Sequence, residues 1–289
     1  LRSILTDQRT NLETYDETRF DVLLAAGEPA KVKIATWNVN SLKVRLPHVL
    51  QWLETAQPDI LGLQETKLID ENFPVAEIED AGYHVVFSGQ KTYNGVAILS
   101  REPATDVLMD LPGLKDPQRR VLGATIGSVR FLDVYVPNGQ SVGSEKYTYK
   151  LDWLAACRDH LAEQLQSHEQ FVVVGDFNIA PEARDVHDAV AWAGEVLFSD
   201  AERAAFAAML ELGLTDTYRM FEQEEGTFSW WDYRMGAFRR NRGLRIDHIL
   251  ASDALRQICT SCQIDRTPRT WEKPSDHTPV IAEFQGQPI

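Results

Sequence analysis

The sequence has few cysteines, a deficit of positive charge and no long hydrophobic run. Three cysteines in 289 residues, Cys157, Cys259 and Cys262, are too few for a disulfide-stapled scaffold and fit a reducing, intracellular setting. Cys259 and Cys262 form a lone C-x-x-C. A structural zinc site needs a second pair, and a redox pair belongs at the opening of a helix. This pair falls in an expected strand, where residues three apart point to opposite faces, so it reads as packing. No apolar stretch reaches the length of about 18 residues that suggests a membrane-spanning helix, so no membrane association is expected. The first residues lack the basic-then-apolar order of a secretory signal, and Leu1 in place of Met fits a trimmed start.

Lys and Arg number 29 against 43 Asp and Glu, a formal net charge of −14. That balance argues against a polyanion partner, because binding to nucleic acid is driven by basic surface. A binding face is local, however, whereas net charge is global. Residues 234–245 carry Arg234, Arg239, Arg240, Arg242 and Arg245 with no acid among them, while the first thirty residues hold six acids and three arginines.

Two segments are expected: an N-terminal extension over residues 1–30, closed by the breaker Gly27-Glu28-Pro29, and a single domain over 31–289. Within the domain, apolar runs between Gly, Pro, Asn and Asp signals predict strands at Lys31–Val39, Asp59–Gln64, Tyr83–Ser88, Gly95–Leu99, Val121–Ile126 and Phe131–Val136. Further strands are expected at Phe171–Gly175, Leu244–Leu250, Ile258–Ile264 and Pro279–Phe284. Helical periodicity marks Val44–Ala56, Glu145–Gln166 and Ala201–Leu212. Many strands with a few helices predict an α/β layered domain. The polar residues that follow buried strands would gather at one edge, where ligands bind.

Those polar residues recur. Asn38 and Asn40 follow the first strand, Glu65 and Lys67 the second, and Asn138 comes just after Tyr135-Val136-Pro137. Asp176-Phe177-Asn178 follows the FVVVG run, and Asp247-His248 and Asp276-His277 come near the C-terminus. Any one cluster could be a turn, because Asp and Asn bond the nearby backbone. Asp176 and Asn178 resist that reading, since they project from a buried strand end. An acid next to an imidazole, as in Asp276-His277, recurs where a histidine is oriented or charged. His248 follows Asp247 directly and would point the other way along a strand, so it reads as structural. His48, His84, His160, His168 and His187 lie outside the clusters.

Six ordered blocks carry a family resemblance: LQETK (63–67), VYVPNG (134–139), GDFNIAP (175–181), TFSWWDYR (227–234), NRGLRIDHILAS (241–252) and KPSDHTPV (273–280). In this order they resemble the exonuclease III branch of the endonuclease/exonuclease/phosphatase superfamily, the abasic-site repair nucleases. The resemblance runs from about Lys31 to Phe284. It implies a four-layered α/β sandwich, two face-to-face mixed β-sheets flanked by helices. It also implies a Mg²⁺-dependent hydrolase of DNA, with Mn²⁺ as a substitute. Such an enzyme cuts 5′ to abasic sites, acts as a 3′→5′ exonuclease, or cleans blocked 3′ ends.

By resemblance Glu65 is the main metal ligand, with Asn38 beside it, and Asp276 either ligates the same ion or orients His277. Asp176, Asn178 and His277 are further metal candidates. Asp176 would position or deprotonate the attacking water, and Asn178 would orient it and contact the phosphate. His277 would stabilise charge on a phosphate oxygen, and Tyr135 would donate its hydroxyl to the phosphate or the leaving group. Asp247 orients a neighbour or serves a second metal position. The division of base and acid roles among Asp176, His277 and Tyr135 stays open. Phe228, Trp230, Leu244 and Ile246 would line a pocket for a flipped abasic sugar, one of Trp230 and Trp231 being a core aromatic. Arg239, Arg240 and Arg242 would grip phosphates. The implied partner is double-stranded DNA with abasic sites or damaged 3′ ends, met by a cytoplasmic monomer, associated with the nucleoid in a bacterium. Two alternatives remain: another phosphoesterase of the superfamily, acting on inositol phosphates or phospholipids, or a non-catalytic DNA-binding member that would have lost the metal carboxylate or the histidine.

Overall fold

A computed structural model describes residues 31–286. The N-terminal extension expected over residues 1–30 lies outside the described residues. Strands β1 (Lys31–Asn38), β2 (Ile60–Gln64), β3 (His84–Ser88), β4 (Val96–Ser100), β11 (Cys259–Ile264) and β12 (Val280–Gln285) form one sheet, ordered β11-β12-β1-β2-β4-β3. Strands β5 (Ala104–Met109), β6 (Val121–Ile126), β7 (Val129–Tyr135), β8 (Phe171–Asp176), β9 (Thr215–Asp216) and β10 (Asp247–Ala251) form the other, ordered β5-β6-β7-β8-β10-β9. Each sheet has one parallel pair at its centre, β1 with β2 and β7 with β8. The other pairings are antiparallel.

Side-chain alternation explains the layering. Ile34, Ile60, Ile98, Phe131, Val172, Val174 and Ile249 point inward and fuse the two sheets. The alternate residues Trp37, Leu61, Leu63 and Leu99 face outward, onto helix α1 (Leu42–Ala56) through Val49, Trp52 and Leu53. On the other sheet, Leu132, Val134 and Val173 pack beneath helix α3 (Glu145–Ser167) and helix α5 (Asp200–Leu210). Short helices α2 (Val75–Asp80), α4 (Ala189–Trp192) and α6 (Asp253–Ile258) complete the chain. The four-layered sandwich with mixed sheets is the one expected. Strands buried on both faces read as unbroken apolar runs for this reason.

Three local differences have physical causes. The strand expected from Ile258 is preceded by helix α6, which has Ser252 at its N-cap position and includes Ile258. Strand β5 was not expected, because as an exposed edge strand with an irregular register it shows no apolar alternation. The C-x-x-C does not split across faces. The register shifts between Cys259 and Ser261, so Cys259 pairs with Phe284 and Cys262 with Ala282. That bulge returns both sulfurs to the same core cluster. Both are free thiols. Burial pushes Cys259 up to about 11 and Cys262 higher still, which suits packing and not redox chemistry.

Candidate active site

The parallel pairs bring their C-terminal ends to one edge. There β1 delivers Asn38, the turn after β2 delivers Glu65, β7 delivers Tyr135 and β8 delivers Asp176. Antiparallel β10 starts at this edge, with Asp247 opposite Asp176. The segment before β12 brings Asp276 and His277. Gly175 makes the approach of β7 and β8 possible: at φ 145 a Cβ would lie 1.9 Å from the carbonyl oxygen of Val134. Glu65, Asn178 and Asn40 hold left-handed backbones at φ 53, 50 and 44. Strain of this kind collects at sites that the surrounding structure over-determines.

The side chains form one network. Asn38 Nδ2 donates to Glu65 Oε1 and to Asp176 Oδ2, both at 2.9 Å. The Asn178 backbone N–H donates to Asp176 Oδ1 at 2.9 Å. His277 Nδ1 lies 2.9 Å from Asp247 Oδ2, and its Nε2 lies 3.7 Å from Asp176 Oδ2. Burial lowers the His277 pKa, but Asp247 and Asp176 more than reverse this and lift it well above 6.5, so the ring is an imidazolium at neutral pH. Burial raises Asp176 to about 7, against the pull of His277 and with the push of Asp247. Burial, Glu65 and Asp176 raise Tyr135 far above 10 and keep it a neutral phenol, and the Arg120 guanidinium sits 4.7 Å over its ring.

Glu65, Asp176 and His277 offer ligand atoms within 4.8 Å of one another. Carboxylate oxygens suit a hard divalent cation, so this group fits such an ion with Glu65 as a donor. Asn38 presents its amide N–H groups to both carboxylates, while its oxygen accepts from the Asn40 backbone. In this arrangement it orients the two carboxylates. Asp276 accepts from Asn40 Nδ2 at 2.9 Å and from Trp230 Nε1 at 3.0 Å. The carboxylate bonded to His277 is therefore Asp247, and Asp276 ties the turn after β1 to the aromatic wall.

That wall gathers some of the expected pocket residues and not others. Trp230 packs with Leu244, Ile246, Ala180, Leu197 and Phe198, and it bridges to both Leu244 and His277. Phe228 is turned away: it packs with Trp231 and Ala237 and opens onto a separate cavity of about 760 Å³ beside Tyr218 and Arg219. Ser229 and Trp230 both donate their backbone N–H to the Leu244 carbonyl, at 3.0 and 2.9 Å, and this bulge breaks the alternation that would put residues 228 and 230 on one face. Trp231 is the core aromatic of the pair. Arg239, Arg240 and Arg242 are exposed. Arg245 is not part of that surface: it is buried in ion pairs with Asp185 at 2.7 Å and Asp216 at 2.8 Å. His248 is buried and structural, with Nε2 at 2.9 Å from the Ile179 carbonyl.

Several site residues had no role assigned from sequence. Lys67 pairs with Glu65 at 2.8 Å, and Asn138 donates to Asn178 at 3.2 Å. Ser275 holds the Asn38 carbonyl at 2.7 Å, and Arg45 reaches Tyr233 and Pro274. The first three lie inside the six sequence blocks. Arg45, on α1, had no local signal.

Residues 35–277 match the model of the endonuclease/exonuclease/phosphatase family. The chain belongs to this family. Its relatives fall in the DNA-repair branch. It is 36% identical to an exodeoxyribonuclease III of Haemophilus influenzae over 88% of this chain and the whole of that protein. A Neisseria 3′ phosphatase solved with a product DNA hairpin superposes with a TM-score of 0.87 at 47% identity, covering 88% of this chain and all of the other. An AP endonuclease of Archaeoglobus fulgidus superposes with a TM-score of 0.85 at 42% identity, with the same coverage. No helix among the described residues is long and apolar enough to cross a membrane.

Proposed function

We propose that this chain is a magnesium-dependent DNA-repair phosphodiesterase. It hydrolyses the backbone 5′ to abasic sites and trims or dephosphorylates 3′ ends of duplex DNA, as an intracellular monomer with a folded domain over 31–289. The observation that carries the reading is the line Asp247–His277–Asp176 facing Glu65, with contacts of 2.9 and 3.7 Å. A fixed imidazolium beside a carboxylate of raised pKa supplies both a charge for a phosphate oxygen and a base for water. Branch membership favours DNA over inositol phosphates or lipids, and the intact acid and histidine set argues against a non-catalytic member.

Glu65 would hold Mg²⁺, or Mn²⁺ in its place, and the bound ion would supply Lewis-acid neutralisation of the phosphate. The chain's residues do the rest. His277 donates Nε2–H to a phosphate oxygen, held in orientation by Asp247. Asp176, positioned by Asn38 and Asn178, takes a proton from the attacking water. Tyr135, un-ionised, donates its hydroxyl toward the phosphate or leaving oxygen. The Trp230–Leu244–Ile246 wall receives a sugar that carries no base, and exposed Arg239, Arg240 and Arg242 contact phosphates.

The test uses the purified chain with Mg²⁺ on duplexes bearing an abasic site, a nick with a 3′-phosphate, or a recessed normal 3′ end. Cleavage of at least one is expected, with Glu65→Ala lowering it by a factor of about 10³ or more, in line with the weight of metal electrostatics. Unchanged cleavage by that variant would remove Glu65 from the metal site, and no cleavage by the parent chain would overturn the reading.

A further inference from the structure

The turns that follow the strands of Tyr135 and Asp176 share a buried cation. Lys150, on α3, is fully buried. Its Nζ donates to the Asn178 carbonyl at 2.6 Å, to the Asn138 carbonyl at 3.2 Å and to Glu202 Oε1 at 2.5 Å. An ammonium has three protons, and all three are committed. Glu202, on α5 and equally buried, accepts from the Leu197 backbone N–H at 3.0 Å and from the Ser199 backbone N–H at 3.1 Å. Leu197 holds a left-handed backbone at φ 77, its carbonyl accepts from Ala180 N–H at 2.7 Å, and its side chain belongs to the wall around Trp230, Leu244 and Ile246.

We propose that Lys150 and Glu202 form a positioning pair that locks the Asn138 turn, the Asn178 turn and the Val196–Ser199 wall of the sugar pocket into one rigid body. The pair touches no substrate position; it acts through Asn178, and so through Asp176, and through Leu197. Stability alone is a poor reason for its presence, because buried ion pairs replaced by neutral groups often cost nothing. Geometry is a better one. Misplacing a reacting group by about 1 Å can lower a rate by a factor of about 100, and three separate segments must agree here.

The inference rests on the nuclease reading for its meaning, so the test has one arm that does not use activity. Lys150→Met combined with Glu202→Gln removes both charges together and leaves no unpaired buried charge. In the metal-free full chain, hydrogen exchange of backbone amides in 137–140, 177–180 and 196–199 should accelerate together by about tenfold or more, with α3 and β8 unchanged. In the Mg²⁺-dependent assay, run where the variant is fully folded, kcat on abasic duplex should fall by about 10- to 100-fold with KM near that of the parent, while the melting temperature falls because the Asn138 and Asn178 carbonyls lose their donor. Unaltered exchange in the Asn138 and Asn178 turns would overturn the proposal. So would a fall in activity matching the fraction unfolded. A parent chain inactive on every duplex would overturn the nuclease reading instead, and the exchange arm would still decide the clamp.

Discussion

Asp133 lies between the sheets, and among the described residues no cation stands beside it. Gln64 Nε2 donates to its Oδ1 at 2.6 Å and to Thr36 Oγ1 at 2.9 Å. Asp133 Oδ2 and Gln64 Oε1 are both buried without a partner. Burial pushes the Asp133 pKa well above its usual 3.8, against the pull of the Gln64 hydrogen bond. The group keeps its proton in the fold at pH values where the unfolded chain loses it. Its stability contribution is therefore complete below about pH 4 and declines as pH rises, by about 1.4 kcal/mol per unit until the folded pKa is reached. Asp133→Asn keeps the shape and a donor but cannot ionise. Its denaturation midpoint should exceed the parent's at pH 8 and approach it at pH 4; parallel profiles across that range would show that Asp133 is ionised in the fold. The Asn carbonyl can still accept from Gln64 Nε2, which keeps the strand ends before Glu65 and Tyr135 in register, so the same variant should retain activity.

At the scale of the element, Gly175 decides how closely β7 and β8 approach. Gly175→Ala places a methyl against the Val134 backbone and should cost about 3 kcal/mol or more. It should also displace Asp176, seen as lost activity in the fraction that still folds. Much at this scale was legible in the sequence. FVVVG announced a strand buried on both faces, and the polar residues after each central strand announced the reactive edge. The unread parts share a cause, because they depend on partners distant in sequence. Arg245 looks like its exposed neighbours until Asp185 and Asp216 close over it. Cys259 and Cys262 sit on opposite faces of an ideal strand, and only the bulge reverses this. Phe228 stands two residues from Trp230 in sequence, but the bulge opposite Leu244 sends it to another cluster. Asp276 adjoins His277, yet the histidine's partner is Asp247, thirty residues earlier.

Across the whole molecule, a chain of net charge −14 is paired with a polyanion. On the proposed reading the contact is local: Arg239, Arg240 and Arg242 are exposed in a segment that carries no acid. Replacing all three arginines by Gln should weaken binding to duplexes of any sequence. The slope of log affinity against log salt should flatten by about 0.9 for each phosphate that is no longer neutralised. An unchanged slope would move the DNA face away from this segment. The order of strands has a consequence for synthesis. β12 inserts between β1 and β11, and the segment that leads into it carries His277, whose partner Asp247 and neighbour Asp176 come from the opposite sheet. A growing chain that has not yet emerged past these residues has an open gap in its first sheet and lacks the imidazolium. On the proposed mechanism, a chain that stops short of His277 leaves Asp247 and Asp176 without the ring that stands between them, so cleavage should await closure of the first sheet by β12.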